Sequence, residues 1–534
     1  MNTALRISAA CLILSSLISC QLGPQAPTQP NFLLIIVDDL GYTDLSIMGS
    51  DYYETPHIDQ IAREGVIFTE GYAACAVCSP SRASLMTGTF VPRHGITDYI
   101  GAPVGADWRK MNRHTPLLPP DYQRFLPHQL TTIPEALKTV GYNTFFAGKW
   151  HLGSEEQGSL PTDHGFDINQ GGFHAGGPYT GGYFSPFNNP FLKDRPEEKG
   201  MSFSMKLAKE TSAFIETQDE EQPFFACLSF YAVHAPIQTS EDKWSHYRDK
   251  ADSMGIAPSG FGMERILPIR QHQDNPVYAG LVEQVDEAVG QVLATLEAKG
   301  LDENTVILFT SDHGGVASGD AYATNNAPLR GGKGYQWEGG LRVPFFLKVP
   351  WMNHRGQENS TPVMNTDILP TFMDLAQVPL DSAGSIDGKS LVPVLQKQTF
   401  AERPLYWHYP HYGNQGGEPH AVLRQGSWKL IHYWEDDRDE LYNLAQDLSE
   451  ENDLAAQEAD RTRAMRQQLL DWLEEAGATY PVRDSLFDPA AHAAKLESYR
   501  TELLPRLERQ RAAMLSPDWQ PNEDWWGSKS DTNK

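Results

Sequence analysis

Cysteine is scarce in this 534-residue chain, and where it falls is informative. The five are Cys11, Cys20, Cys75, Cys78 and Cys227, too few beyond residue 30 to build a disulfide framework. There is no second Cys-x-x-Cys and no matching histidine pair, which argues against a structural zinc knuckle. The Pro80-Ser81-Arg82 context argues against a thioredoxin-like pair. Basic charge is also in deficit, with 43 Lys and Arg against 69 Asp and Glu and a formal net charge of −26. That argues against a nucleic-acid binder, and any polyanionic substrate has to be met by a local basic pocket working against the global field. No apolar run is long enough to span a bilayer comfortably; the nearest, Ile7 to Ile18, is short and sits at the start. No internal repeat is visible. What remains, with 44 Gly, 37 Pro and evenly spread aromatics, is a loop-rich globular enzyme of one large domain and a smaller one.

The first residues belong to targeting and not to the fold. Arg6 precedes the apolar run, which ends in Leu17-Ile18-Ser19-Cys20 and resembles the bacterial lipoprotein cleavage box. That resemblance implies a signal peptide over 1–19, lipidation of Cys20 and a polar tether over 20–30. The chain would be exported and acyl-anchored to a bacterial membrane, facing the periplasm or lying at the cell surface. The alternative is an ordinary signal peptide that happens to contain Cys20.

From Asn31 onward, short apolar runs alternate with helical segments. "NFLLIIVDD", "NTFFAGKWH", "PFFACLSFYAVHAP", "NTVILFTSDHGG" and "LRVPFFLKVP" are expected as buried strands of a parallel sheet. Thr55, Pro56 and Gly65 punctuate one helix as N-cap, first residue and stop. Another carries Leu281, Val285, Val289, Val292 and Leu296 on one face and ends at Gly300. The pattern predicts an α/β fold with a doubly wound sheet over 31–400. Gly171–Phe191, rich in glycine and aromatics, is expected to be a long functional loop. Residues 401–480 have the texture of a smaller α+β subdomain with antiparallel strands, and 481–534 that of a wrapping tail.

The polar residues that directly follow the apolar runs are chemically potent. Asp38 and Asp39 follow the first, Lys149 and His151 the second, His234 the third, Asp312 and His313 the fourth. Parallel strands would bring them to one edge, where open α/β sheets bind ligands. Three clustered carboxylates require a cation among them; oxygen ligands favour Ca2+ or Mg2+, and His313 leaves room for a transition metal. In "CAVCSPSRASLMTG", Ser79 is expected to cap a helix with Pro80 at its first position. That puts Cys78 at a helix N-terminus with Arg82 one turn on, a setting suited to a tetrahedral oxyanion.

Cys78-Ser79-Pro80-Ser81-Arg82 resembles the Cys-x-Pro-Ser-Arg signature of the type I sulfatases. The likeness continues through Asp38-Asp39, Gly148–Gly153 with Lys149 and His151, His234-Ala235-Pro236, Ser311–Gly314 and the loop bearing Lys333, in family order. One departure is His313, where asparagine is frequent in the family. The resemblance implies an alkaline-phosphatase-like sandwich, its large, mostly parallel sheet flanked by helices and its small C-terminal subdomain built on an antiparallel sheet. It also implies conversion of Cys78 to formylglycine by a formylglycine-generating or anaerobic sulfatase-maturing enzyme. A gem-diol at residue 78 would then attack sulfur. Asp38, Asp39, Asp312, His313 and residue 78 would hold one Ca2+; Arg82, Lys149 and Lys333 would neutralise charge. His234, with Lys333, would protonate the leaving alcohol, and His151 would serve as the base that regenerates the aldehyde. The implied activity is sulfuric ester hydrolysis, with a sulfated polysaccharide or its oligosaccharides as substrate. His174, His408, His411, Asn414 and Gln415 are sugar-contact candidates, because amide and ring side chains suit a saccharide. Rival readings are a phosphoester hydrolase of the same superfamily and a non-catalytic lipoprotein that captures sulfated glycans. Cys75 is expected to be a bystander, and it and Cys227 are expected to stay thiols.

Overall fold

The computed structural model describes residues 27, 29–178, 182–219 and 222–519; Cys11, Cys20, the signal and most of the tether lie outside them. An eight-stranded sheet forms the middle layer. In chain order its strands are β1 (Asn31–Val37), β2 (Val66–Phe68), β3 (Asn143–Gly148), β4 (Ile168–Gln170), β5 (Phe224–Phe230), β6 (Thr305–Ser311), β7 (Phe345–Lys348) and β8 (Gln357–Asn359). In space they run β8-β2-β7-β6-β1-β5-β3-β4. Strand β1 shows why the layer is buried on both faces. Leu33, Ile35 and Val37 enter one core, with the helices at Pro56–Glu64, Phe203–Glu216 and Pro276–Lys299. Phe32, Leu34 and Ile36 enter the other, with those at Cys78–Thr87, Ile133–Lys138 and Ile368–Leu375. Continuous apolar strands covered on both sides are what a parallel sheet with helical crossovers demands.

The pairing is parallel in the centre and not throughout. Strand β7 runs antiparallel to both β6 and β2, contrary to the expectation for "LRVPFFLKVP". A parallel neighbour needs a crossover. Between Ser311 and Phe345 the only α-helix is the single turn Glu338–Leu341, so the chain stays at the edge where β6 ended and returns downward.

Register fixes what that edge displays. Val37 pairs with Ser311 and with Phe230, and Gly148 pairs with Ser229. The residues after each strand therefore emerge side by side. Gly65 ends its helix as expected, but in extended conformation; the glycine is required because a Cβ there would come within 2.6 Å of the Leu347 carbonyl.

Strands β9 (Leu405–Tyr409), β10 (His420–Gln425), β11 (Trp428–Tyr433) and β12 (Asp439–Asn443) form a four-stranded antiparallel sheet, against which the helix Ala459–Glu475 packs. Tyr72, Ala74 and Ala76 share that core, and Trp407 Nε1 donates to the Ala73 carbonyl (2.7 Å). The small sheet thus braces the segment leading to Cys78. The tail folds into helices at Pro489–Ser498 and Leu504–Met514, and Met514 and Trp519 join the main core.

Candidate active site

The helix Cys78–Thr87 is buried along its whole length and enters the site end-on. Its N-cap is Val77, not Ser79; Cys78 is the first helical residue, and Ser79 Oγ instead accepts from the Ile100 N–H (3.0 Å). Ser81 donates to the Asp312 carbonyl and accepts from Asn365 Nδ2 (2.8 Å), tying the helix start to the end of β6. Arg82 is locked by three donations: Nε to Asp312 Oδ2 (2.8 Å), and Nη1 to the Lys149 carbonyl (2.8 Å) and to Ser229 Oγ (2.7 Å).

Around this helix the strand ends converge. Lys149 Nζ lies 2.6 Å from Asp38 Oδ2, and Lys333 Nζ 2.8 Å from Asp39 Oδ1. His313 Nε2 lies 3.3 Å from Asp39, 3.5 Å from Asp312 and 3.9 Å from Asp38. His234 Nε2 is 3.9 Å from Asp39 Oδ2, and its Nδ1 donates to the Ala235 carbonyl (2.6 Å). Cys78 Sγ is 3.3 Å from His151 Nδ1, while His151 Nε2 faces the Ile100 carbonyl at 3.3 Å. A carbonyl only accepts, so the His151 proton belongs on Nε2 and the lone pair of Nδ1 faces residue 78. Asp39 (φ 65°) and His151 (φ 57°) both hold left-handed backbone, a strain of the sort that concentrates at functional sites.

Burial, with Asp312 and Asp39 beside it, pushes the Asp38 carboxyl well above the usual range despite Lys149 and Arg82. For Asp39, burial acts the same way but Lys333, His234 and His313 win, and it is lowered; for Asp312, His313 and Arg82 win. Burial would raise the Cys78 thiol, yet Lys149 and His151 pull it well below its ordinary value. Burial lowers His151, and burial followed by Lys333 brings His234 down to about 4.

The donor set fits a divalent cation. Asp38, Asp39 and His234, and again Asp38, Asp312 and His313, present ligand atoms within 4.8 Å of one another. Asp38 Oδ1, Asp39 Oδ2 and His313 Nε2 are buried without a hydrogen-bond partner. Lone pairs buried facing one another are costly unless a cation lies among them. Both groups share Asp38 and so lie side by side at one place in the fold.

A cavity of about 90 Å³ opens beside it, lined by Cys78, His151, His234 and Lys333 and, on the outer side, by Tyr99, Asp320, Tyr409, Asn414 and Gln415. Asn414 and Gln415 thus lie at the site. His408 and His411 do not: His408 Nε2 donates to the Thr479 carbonyl (2.7 Å) and His411 Nε2 pairs with Thr97 Oγ1 (2.8 Å), both inside the protein. His174 is exposed beside Phe173 and is not among the residues that line the cavity. Described residues of Gly171–Phe191 brace the site. The Phe173 carbonyl accepts from His151 N–H (3.0 Å), a Cβ on Gly176 would sit 2.6 Å from the His151 ring, and Tyr183 hydroxyl bonds the carbonyls of Tyr231 (2.8 Å) and His234 (2.7 Å). Sequence reasoning missed Tyr183, Tyr99, Asp320 and Asn365, none of which follows a predicted strand. Cys75 and Cys227 are buried free thiols, both pushed up by burial.

The model of the family described as Sulfatase matches residues 30–378, and that described as N-sulphoglucosamine sulphohydrolase, C-terminal, matches 332–477. A sulfatase of Formosa agariphila is 30% identical over 536 residues, covering 86% of this chain and 92% of that protein. The N-acetylgalactosamine-6-sulfatase of Mus musculus is 30% identical over 418 residues, covering 74% and 72%. The solved structure of Ps i-CgsB in complex with k-i-k-neocarrahexaose matches with a TM-score of 0.68 at 25% identity, over 89% of this chain and 98% of that one. With its alkaline-phosphatase-like fold, this chain belongs to the sulfatase family. It is a sulfuric ester hydrolase.

Proposed function

We propose that the chain removes sulfate from a sulfated carbohydrate, an extracellular polysaccharide or its oligosaccharides, once a formylglycine-generating or anaerobic sulfatase-maturing enzyme has oxidised Cys78 to formylglycine. The hydrated aldehyde would supply the nucleophilic oxygen, and Ca2+ held by Asp38, Asp39, Asp312, His313 and residue 78 would supply positive charge to it and to the sulfate oxygens. The observation that carries this reading is the convergence on residue 78. Cys78 Sγ lies 3.3 Å from His151 Nδ1, the ring nitrogen whose lone pair faces it, in the cavity that His234 and Lys333 also line. His151 is thereby placed to accept a proton from that side chain.

Three acids, Asp38, Asp39 and Asp312, face three bases, Arg82, Lys149 and Lys333. Their charges cancel, so a divalent ion leaves the pocket positive in a chain of net charge −26. Arg82, Lys149 and Lys333 balance charge on the group being transferred. Lys333, held protonated by Asp39 against burial, carries the proton for the leaving alcohol, and His234 Nε2 faces the same cavity.

A carbohydrate is favoured because the mouse relative is named for an amino sugar and the solved neighbour holds a neocarrahexaose. Export and anchoring through Cys20 form part of the proposal. They rest on Arg6, the run after it and Leu17–Cys20. Among the described residues no helix is long and apolar enough to cross a membrane, and contact with one would be through lipid alone. The test is sulfate release from sulfated saccharides by protein co-expressed with a maturation enzyme, beside matched phosphate esters. Release that disappears in C78A supports the reading. Faster phosphate release, surviving in C78A, or glycan capture without release, defeats it.

A further inference from the structure

One carboxylate in the cavity is not explained by sulfate. Asp320 lines it, the only acidic side chain among the described lining residues, and it is absent from both metal-capable groups. A sulfate ester is an anion, so an acid here cannot help to grip it. The side chain is 26% exposed, and Asp320 Oδ2 lies 3.6 Å from Lys333 Nζ, the group to which the function proposed above gives the proton for the leaving alcohol.

Asp320 is also held in place. Gln415 Nε2 donates to Oδ2 (2.7 Å), which leaves Oδ1 to accept from a ligand. Gln415 is itself 4% exposed. A Cβ on Gly319 would come within 2.9 Å of the Asn414 carbonyl and one on Gly334 within 2.7 Å of Gln415 Oε1, so both flanking loops are fitted closely against this pair. Asn414, the residue before Gln415, bonds Arg113 and approaches Tyr99 hydroxyl (3.5 Å). An oriented acceptor beside the leaving oxygen of a saccharide meets whatever the next ring carbon carries. On a sugar that is a hydroxyl, a donor.

We infer that Asp320 is a specificity-determining residue. It accepts a hydrogen bond from the free hydroxyl on the carbon next to the sulfated one, Gln415 positions it, and rings with a second sulfate or an ether at that carbon are rejected. This rests on the sulfated-carbohydrate reading above and narrows it to singly sulfated vicinal positions. A hydrogen bond to a charged partner, left unmade, costs roughly ten- to hundredfold in rate, and sites built to bond a hydroxyl discriminate strongly against analogues that lack it.

The experiment uses the matured full chain. Monosulfated regioisomers of galactose, N-acetylgalactosamine, glucosamine and fucose are screened together with 4-nitrophenyl sulfate. The best saccharide is then compared with its derivative O-methylated at the neighbouring hydroxyl, in wild type, D320N, D320A and Q415L. The expected result is a wild-type kcat/KM ratio of at least tenfold in favour of the free hydroxyl. That ratio should fall to near one in both Asp320 variants and by an intermediate amount in Q415L, with a larger loss on the saccharide than on the aryl ester. A ratio near one in wild type, or a ratio that survives in D320A, overturns the inference while leaving the enzyme a carbohydrate sulfatase. Turnover of 4-nitrophenyl sulfate with none of the saccharides overturns the inference and the carbohydrate reading together, and leaves sulfate ester hydrolysis standing. Equal loss on saccharide and aryl ester in D320N would make Asp320 only a support for Lys333.

Discussion

Lys149 Nζ lies 2.6 Å from Asp38 Oδ2 with both side chains closed to solvent, and this pair joins the end of β3 to the end of β1. Removing one partner of a buried pair leaves the other charge uncompensated, at a cost of about 3–5 kcal/mol. K149M is expected to lower the Tm substantially and to reduce kcat/KM by a hundredfold or more, on the order of losing one charge-stabilising contact. Thermal unfolding and kinetics on one preparation check both. An unchanged Tm would mean that the pair is not what holds Asp38.

The carboxylate cluster should make stability depend on a divalent ion. With Ca2+ at about a hundred times its Kd, the native state gains about 2.7 kcal/mol. Chelation should therefore lower the Tm reversibly, and Ca2+ should restore it. D39N tests the assignment cleanly, since asparagine tolerates the left-handed backbone at φ 65°. Its Tm should respond only at Ca2+ concentrations well above those that the wild type needs. A wild-type Tm indifferent to chelator and to every divalent ion would refute the metal centre.

Tyr183 should position catalysis without touching substrate. Its hydroxyl bonds the carbonyls of Tyr231 and His234. Y183F should cost about 1 kcal/mol in stability and lower kcat with KM nearly unchanged, because the His234 main chain loses its anchor. A KM change at constant kcat would place Tyr183 on the substrate instead.

His408 links pH to stability. Burial holds its pKa at about 4, against an unfolded value near 6.5. Below about 6.5 the unfolded chain binds a proton that the folded chain refuses until about 4. Folding therefore loses stability across that window as pH falls, by up to about 1.4 kcal/mol per pH unit for this one group. H408N forfeits the bond to the Thr479 carbonyl, so it should be the less stable protein at pH 7.5. Its deficit should shrink steadily from pH 6.5 toward 4. A deficit constant with pH would show that the group titrates normally.

The site was legible in the sequence wherever a polar residue directly follows a buried strand. That is why Asp38, Asp39, Lys149, Asp312 and His313 were readable together: the register that aligns Val37, Gly148 and Ser311 follows from apolar runs ending at those points. Strand direction was not readable, since "LRVPFFLKVP" is equally apolar whichever way it runs. The parts supplied by loops were hidden for a different reason. Asp320 and Gln415 are 95 residues apart and meet only because the small sheet docks there. His408 and His411 look like sugar contacts in a histidine- and tyrosine-rich stretch, but both are buried, with bonds to Thr479 and Thr97.

The most direct test is mass spectrometry of the tryptic peptide that contains Cys78, from protein co-expressed with a maturation enzyme and accompanied by sulfate release on the same sample. Formylglycine at residue 78, with activity rising in proportion to its extent, is the predicted result. An unmodified thiol under conditions that convert a control sulfatase, or activity equal in converted and unconverted fractions, would contradict a mechanism centred on residue 78.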